Sequence, residues 1–237
     1  MCGRSSLTKT QKELEKRFQS TFYSEDLIRY NPLPNYNVAP THMMPVIAHM
    51  DRDHFLPMRW GLIPFWAKDI KVGYKMINAR VETLLEKNAF KSAVSSRRCI
   101  VPADGFYEWK KTSRGKQAYY IKTKDQEIFS MAGLWEKWQS PDGVEIQSFT
   151  VITQASNSLM EDIHDRMPAI LTNAQEELWL SDDLNPQQLI SIIQPYPSEL
   201  MEAIPVSDKV NNVRNNDHSL IEEANLEEDS GQMSLFD

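Results

Sequence analysis

An α+β fold is what the sequence predicts, as one domain followed by a short tail. Three observations lead there. Seven short runs, apolar or alternating and punctuated by Gly, Pro and Asp, occupy 44–49, 55–61, 98–103, 119–122, 128–134, 149–153 and 204–206 and read as mostly antiparallel strands. Helical periodicity returns only at scattered places, without the regular strand–helix beat of a parallel sheet. The 237 residues are 41% hydrophobic and 25% charged, a balance that can bury one substantial core.

Taken in order, residues 8–30 read as a helix with Leu14, Phe18 and Phe22 on one face and Thr8 as its N-cap. Residues 31–45 hold four prolines and must be irregular. The strands follow, interrupted by helical patterns at 81–89, 157–163, 175–180 and 185–193. No internal repeat is present. From position 218 the composition turns acidic and poor in core residues, which sets the domain at 2–217 and a disordered tail at 218–237.

Composition also excludes function classes. No apolar run approaches membrane-spanning length, and the start Met-Cys-Gly-Arg-Ser-Ser lacks a signal-peptide core, so a cytoplasmic, nucleoid-associated protein without a membrane partner is expected. Two cysteines make neither a disulfide framework nor a zinc spacing, and no metal or cofactor is expected. A monomer needs no special assumption.

The net charge of −7 argues against nucleic acid until its distribution is read. Residues 217–237 hold seven acids and no Lys or Arg, leaving 26 acids to balance 26 bases in the body. Within the body, residues 59–116 hold thirteen Lys or Arg against five acids. A local basic face of that kind can bind phosphates whatever the total charge.

The chemistry starts at Cys2. Removal of Met1, which a small second residue permits, leaves an α-amine and a thiol on adjacent carbons. The amine, with a pKa near 8, is partly neutral and nucleophilic at neutral pH. Amine and aldehyde give a Schiff base, and the neighbouring thiol can close it into a five-membered thiazolidine. Asn78 and Arg80 stand two residues apart before a helical pattern, one suited to bond a sugar or ring nitrogen, the other to fork onto a phosphate. Glu108 lies between Tyr107 and Trp109 after an apolar strand, a setting that raises a carboxyl toward neutrality. His164 is the histidine embedded in a dense polar cluster and titrates where a Schiff-base proton shuttle needs it; His42, His49, His54 and His218 read as surface residues. Arg166 can join Arg4 and Arg80 on a DNA backbone or pair with Asp165. Trp60 reads as core, and Trp66 is open to stacking on unpaired bases. Cys99 sits in an apolar run as a packed thiol.

Seven stretches in order resemble the SOS-response-associated peptidase (SRAP) family of abasic-site crosslinking proteins. They are the Met-Cys-Gly-Arg start, Asn37-Val38-Ala39-Pro40, Arg59-Trp60-Gly61-Leu62-Ile63-Pro64 with Trp66, Asn78-Ala79-Arg80-Val81-Glu82-Thr83, Asp104-Gly105-Phe106-Tyr107-Glu108-Trp109, His164-Asp165-Arg166-Met167-Pro168, and Val210-Asn211-Asn212-Val213-Arg214. The resemblance implies an α+β domain with sheets curled into a barrel-like core and a groove for single-stranded or junction DNA carrying abasic sites. It implies Cys2 as the residue that forms the thiazolidine, with Asn78 steadying the ring, Glu108 engaging the open sugar and His164 assisting proton transfer. Arg4, Arg80 and Arg166 would hold flanking phosphates. Lyase chemistry and removal of Met1 by peptidase action are implied as side activities. The tail adds Gln232-Met233-Ser234-Leu235-Phe236, which resembles the short peptide that docks onto the bacterial sliding clamp through Gln232, Leu235 and Phe236. Two other classes share parts of the pattern. An N-terminal-cysteine glutamine amidotransferase also starts Met-Cys-Gly, but no synthetase domain follows. A non-covalent single-strand binding module would leave Cys2 incidental.

Overall fold

The computed structural model describes residues 2–113 and 115–224. In chain order the elements are β1 (Ser5–Leu7), α1 (Gln11–Phe18), β2 (Thr21–Phe22), β3 (Asn35–Val38), β4 (Met43–Ala48), β5 (Asp51–Trp60), β6 (Asn78–Arg80), α2 (Asn88–Ser96), β7 (Arg98–Ala103), β8 (Gly105–Thr112), β9 (Gly115–Thr123), β10 (Phe129–Gln139), β11 (Glu145–Ala155), β12 (Arg166–Pro168), β13 (Ile170–Leu171), α3 (Asn173–Trp179), α4 (Pro186–Ser191) and β14 (Met201–Pro205). Short 3-10 turns fill several of the connections.

Each apolar run became a strand, and the strands sort into two sheets. One is antiparallel, in the order β14-β9-β8-β1-β3. The other runs β12-β11-β10-β7-β4-β5-β2, and an extra parallel pairing of β5 with β11 closes it. Ser148 then lies opposite Arg59 and Phe149 opposite Trp60, which completes a ring of β11, β10, β7, β4 and β5. This ring is the barrel-like core the resemblance implies. Closure leaves those five strands without a free edge along the paired stretch.

The main core fills the ring and the space between the sheets. Met58, Phe129, Phe149 and Val151 from the ring share one apolar cluster with Phe106 and Ile121 from the five-stranded sheet. Burying each such side chain is worth about 1.5–3 kcal/mol. Gly105 sits on β8 under the Tyr120 ring of its neighbour β9. A Cβ there would stand 2.2 Å from the Tyr120 ring, so any larger residue forces the two strands apart.

Three local expectations change. The helix expected over 8–30 is α1 alone, capped by Thr10 and not Thr8, because Thr10 and Glu13 form a reciprocal capping box. Gln19 adopts a left-handed conformation (φ 53°) and ends it after two turns. Phe22 then stacks on Phe55 at 4.4 Å as β2 pairs with β5, so tertiary packing overrides helical periodicity. The pattern at 157–163 is a run of turns, tied down by Asn157, which accepts from the Met160 N–H and donates to the Tyr196 carbonyl. At 81–89 only a single 3-10 turn forms before α2.

Packing also continues past the expected start of the tail at 218. Leu220 is fully buried against Tyr107, Tyr120 and Val206, and Glu223 bridges to Val206. Gln232, Leu235 and Phe236 lie outside the described residues. Among those residues, no helix is long and apolar enough to cross a membrane.

Candidate active site around Cys2

The amino-terminal arm runs antiparallel to β8. Ser5 pairs with Phe106 and Ser6 with Gly105, and the Tyr107 N–H donates to the Arg4 carbonyl at 3.0 Å. Continuing that register brings Gly3 across from Glu108 and delivers Cys2 into the main core, where it is fully buried. Asp104 fixes the arm from behind. Its carboxylate accepts the Ser6 hydroxyl, the Thr8 N–H and the Thr8 hydroxyl.

Asn78 comes from a different direction. It opens β6, which pairs in parallel with β11 so that Asn78 lies opposite Val151. Its Nδ2 donates to the Cys2 carbonyl at 2.7 Å, while its Oδ1 is buried without a hydrogen-bond partner. A buried amide oxygen left in this state is an acceptor held ready for an incoming N–H or O–H.

Glu108, on β8, is 2% exposed. Burial pushes its carboxyl up to about 7, with the negative charge of Asp165 adding to the rise. The Cys2 thiol is pushed up as well, first by burial and then by the charge of Glu108. Cys2 is therefore a neutral thiol at rest, next to a carboxyl poised to take or give a proton. His164 has its pKa lowered by burial. Its Nδ1 lies 3.0 Å from the Arg166 main-chain nitrogen, whose N–H it can accept, and 3.0 Å from Asp165 Oδ1. Cys99 is buried in the core, its thiol also raised by burial.

The structure thus gathers Cys2, Asn78, Glu108 and the His164–Asp165 pair. The arginines divide differently. Arg80 is exposed. Arg4, expected on a phosphate, spends its guanidinium on protein: Nη1 donates to Asn37 Oδ1 and the Val210 carbonyl, both at 2.6 Å, and Nη2 to the Asn211 carbonyl at 3.1 Å. Arg166 is likewise engaged, by Glu82 Oε1 at 2.6 Å, Glu82 Oε2 at 2.9 Å and the Thr153 carbonyl at 2.6 Å. Its bidentate partner is Glu82, where the sequence offers Asp165. Trp60 is buried in the core, donating from Nε1 to the Ile77 carbonyl. Trp66 is 55% exposed and stands with exposed Phe65, Tyr74, Lys68, Lys71 and Lys75 on the segment that leads to Asn78. Gly61 makes that segment possible. Its φ is +112°, and a Cβ would lie 2.6 Å from the Gly73 carbonyl oxygen.

Sequence reasoning passed over three contributors. Asn37 donates to the carbonyls of Val210, Asn212 and Asn215, which explains why Asn37-Val38 and Val210–Arg214 both belong to one pattern. Asp104 and Glu82 also lie inside quoted stretches, so their presence there was the available signal. Among the described residues, no three His, Cys, Asp or Glu side chains gather to hold a metal ion.

A buried cysteine at position 2, gathered with an amide and a near-neutral carboxyl, marks the candidate site on this α+β barrel. Residues 1–213 match the family described as SOS response associated peptidase (SRAP), and the chain belongs to that family. It is 46% identical to the abasic site processing protein YoqW of Bacillus subtilis (strain 168), over 94% of this chain and 99% of that one. It is 34% identical to the abasic site processing protein HMCES of Xenopus tropicalis, over 91% of this chain and 76% of that one. A crystal structure from Bacteroides thetaiotaomicron superposes with a TM-score of 0.87 at 31% identity, covering 94% of this chain and 100% of the other.

Proposed function

We propose that this protein captures abasic sites in single-stranded DNA by a covalent bond to Cys2. The observation that carries the reading is the convergence on Cys2 of Asn78, which holds its carbonyl, and Glu108, whose carboxyl is raised to about 7.

Met1 leaves first by hydrolysis, freeing the Cys2 amine. That amine adds to the aldehyde carbon of the ring-opened sugar, and loss of one water gives an imine. The thiol then adds across the C=N bond: sulfur bonds to the former aldehyde carbon, and the thiol proton ends on nitrogen. Glu108, balanced between its two forms near neutrality, protonates the departing hydroxyl during dehydration and recovers a proton as the nitrogen gives up its N–H to form the imine. It then relays the thiol proton to nitrogen as sulfur adds. His164 assists the same transfers. Asn78 Oδ1 accepts the ring N–H. An adduct stalled at the imine instead loses the 3′ phosphate by β-elimination, which is the lyase side reaction.

DNA reaches the site across the surface of Trp66, Tyr74, Lys68, Lys71 and Lys75, with Arg80 on a flanking phosphate. Names of the relatives support the substrate class: both YoqW and HMCES are called abasic site processing proteins. Residues beyond the packed body contribute Gln232, Leu235 and Phe236 as a docking peptide for the bacterial sliding clamp, which brings the protein to stalled forks.

Mass spectrometry after mixing with an abasic oligonucleotide tests the proposal. A gain equal to the DNA less one water is expected. Cys2→Ala keeps an amine and should cut the strand in place of capping it. Reversible, salt-sensitive binding with no adduct overturns the covalent reading in favour of a binding module.

A further inference from the structure

Asn78 opens β6, and His164 stands two residues before β12; these two strands do not pair with each other. β6 and β12 lie on opposite edges of the same end of β11: Thr153 is across from Arg80 on one side and from Pro168 on the other. One side-chain contact spans that end of β11. Glu82, four residues beyond Asn78, takes both donors of the Arg166 fork, and Arg166 also donates to the Thr153 carbonyl of the strand between them. Arg166 is 9% exposed, and its own main-chain N–H is the donor that His164 Nδ1 accepts.

A two-point guanidinium–carboxylate contact fixes direction as well as distance. The hydrogen bond to Arg166 holds the Glu82 carboxyl below the usual carboxylate range, so the pair stays ionised across the neutral range. His164 thus depends on Arg166 for its position, and Arg166 depends on Glu82 for its own.

We propose that Glu82 is a positioning residue for the capture chemistry: acting through Arg166, it locks the segment that carries His164 to the strand of Asn78 and so holds the imidazole in its place at the site. This rests on the capture reading above. In this role Arg166 serves as a strut inside the protein.

The test is single-turnover adduct formation by the full chain, Met1 removed, on an abasic single-stranded oligonucleotide. Glu82→Ala should lower the rate at saturating DNA about ten-fold, short of the ~100-fold that an ångström-scale misplacement brings. The DNA concentration at half-saturation should stay within about two-fold, since Glu82 touches no DNA in this account. Glu82→Gln keeps one acceptor for the fork and should recover part of the rate. In a His164→Ala background, Glu82→Ala should cost nothing further, because its effect runs through the missing ring. A merely structural role gives additive losses in that double variant and overturns the inference, as does a parent-like rate for Glu82→Ala. Should the alanine variant not fold, the same cycle is read with Glu82→Gln. A parent protein that forms no adduct overturns the capture reading first, and this role with it.

Discussion

Asparagine in place of Asp104 probes how the reactive arm is held. Oδ1 of Asp104 accepts the Ser6 hydroxyl at 2.5 Å, and Oδ2 accepts the Thr8 N–H at 2.6 Å and the Thr8 hydroxyl at 2.5 Å. Asp104 is 7% exposed and Ser6 fully buried, so water cannot substitute. An amide offers one oxygen. Turned toward Thr8, it sets its NH2 against Ser6, whose hydroxyl can rotate to accept because Tyr120 Oη lies 2.9 Å away on the other side. Turned toward Ser6, it opposes one buried N–H with another. The first arrangement wins, and the loss is charge assistance, about 1.5–3 kcal/mol for a bond to an ionised group. We expect folding stability to fall by about 2 kcal/mol in urea titration, and Tm by about 4–8 °C for a domain of this size. Because the arm carries Cys2, adduct formation should slow more than DNA binding weakens. A urea midpoint and Tm matching the parent's to within about 0.5 kcal/mol would refute the reasoning, since surface polar changes cost no more than that.

Two further outcomes follow from the site. Burial lifts the Glu108 carboxyl from 4.5 to about 7, so the folded state binds that proton more tightly than the unfolded chain. The stability this contributes is full below 4.5 and is lost as pH rises through about 7; Glu108→Gln should flatten that decline when urea titrations at pH 5 and pH 8 are compared, and should abolish the rise in adduct rate across pH 7. Arg4→Gln should destabilise the fold by about 1–3 kcal/mol through the lost charge-assisted donation to Asn37 Oδ1 and the Val210 carbonyl. It should leave the salt dependence of single-strand binding unchanged, whereas Arg80→Gln, at the proposed phosphate contact, should lower the log–log slope by about 0.7.

Legibility in the sequence followed the range of the interactions. β7 occupies the 98–103 run residue for residue, because an unbroken apolar stretch between polar ends has one buried solution. The raised carboxyl of Glu108 was foreseeable from its apolar neighbours alone. Gln19 was not, since nothing local marks it as the residue that turns left-handed; the stacking of Phe22 on Phe55, supplied from a distant strand, decides it. Arginine partners were the least legible. Asp165 adjoins Arg166, yet Glu82 wins from 84 positions away because β11 brings the two together. Arg4 finds two of its three acceptors more than 200 positions downstream. Spacing conveys periodicity and local caps, but not which backbone carbonyls a long polar side chain meets after the strands assemble.

The parallel contact that shuts the ring joins residues 59–60 to 148–149, and Asn78 rests on Val151. Pairings this remote in sequence form late, since loop closure must precede any gain from them. On the ribosome, then, the terminal cysteine emerges first while most of its surroundings do not yet exist. Roughly two-thirds of translation must pass before the amide and the imidazole can flank it. Until then the nascent Cys2 has an ordinary thiol, without the burial and the Glu108 charge that raise it in the finished fold.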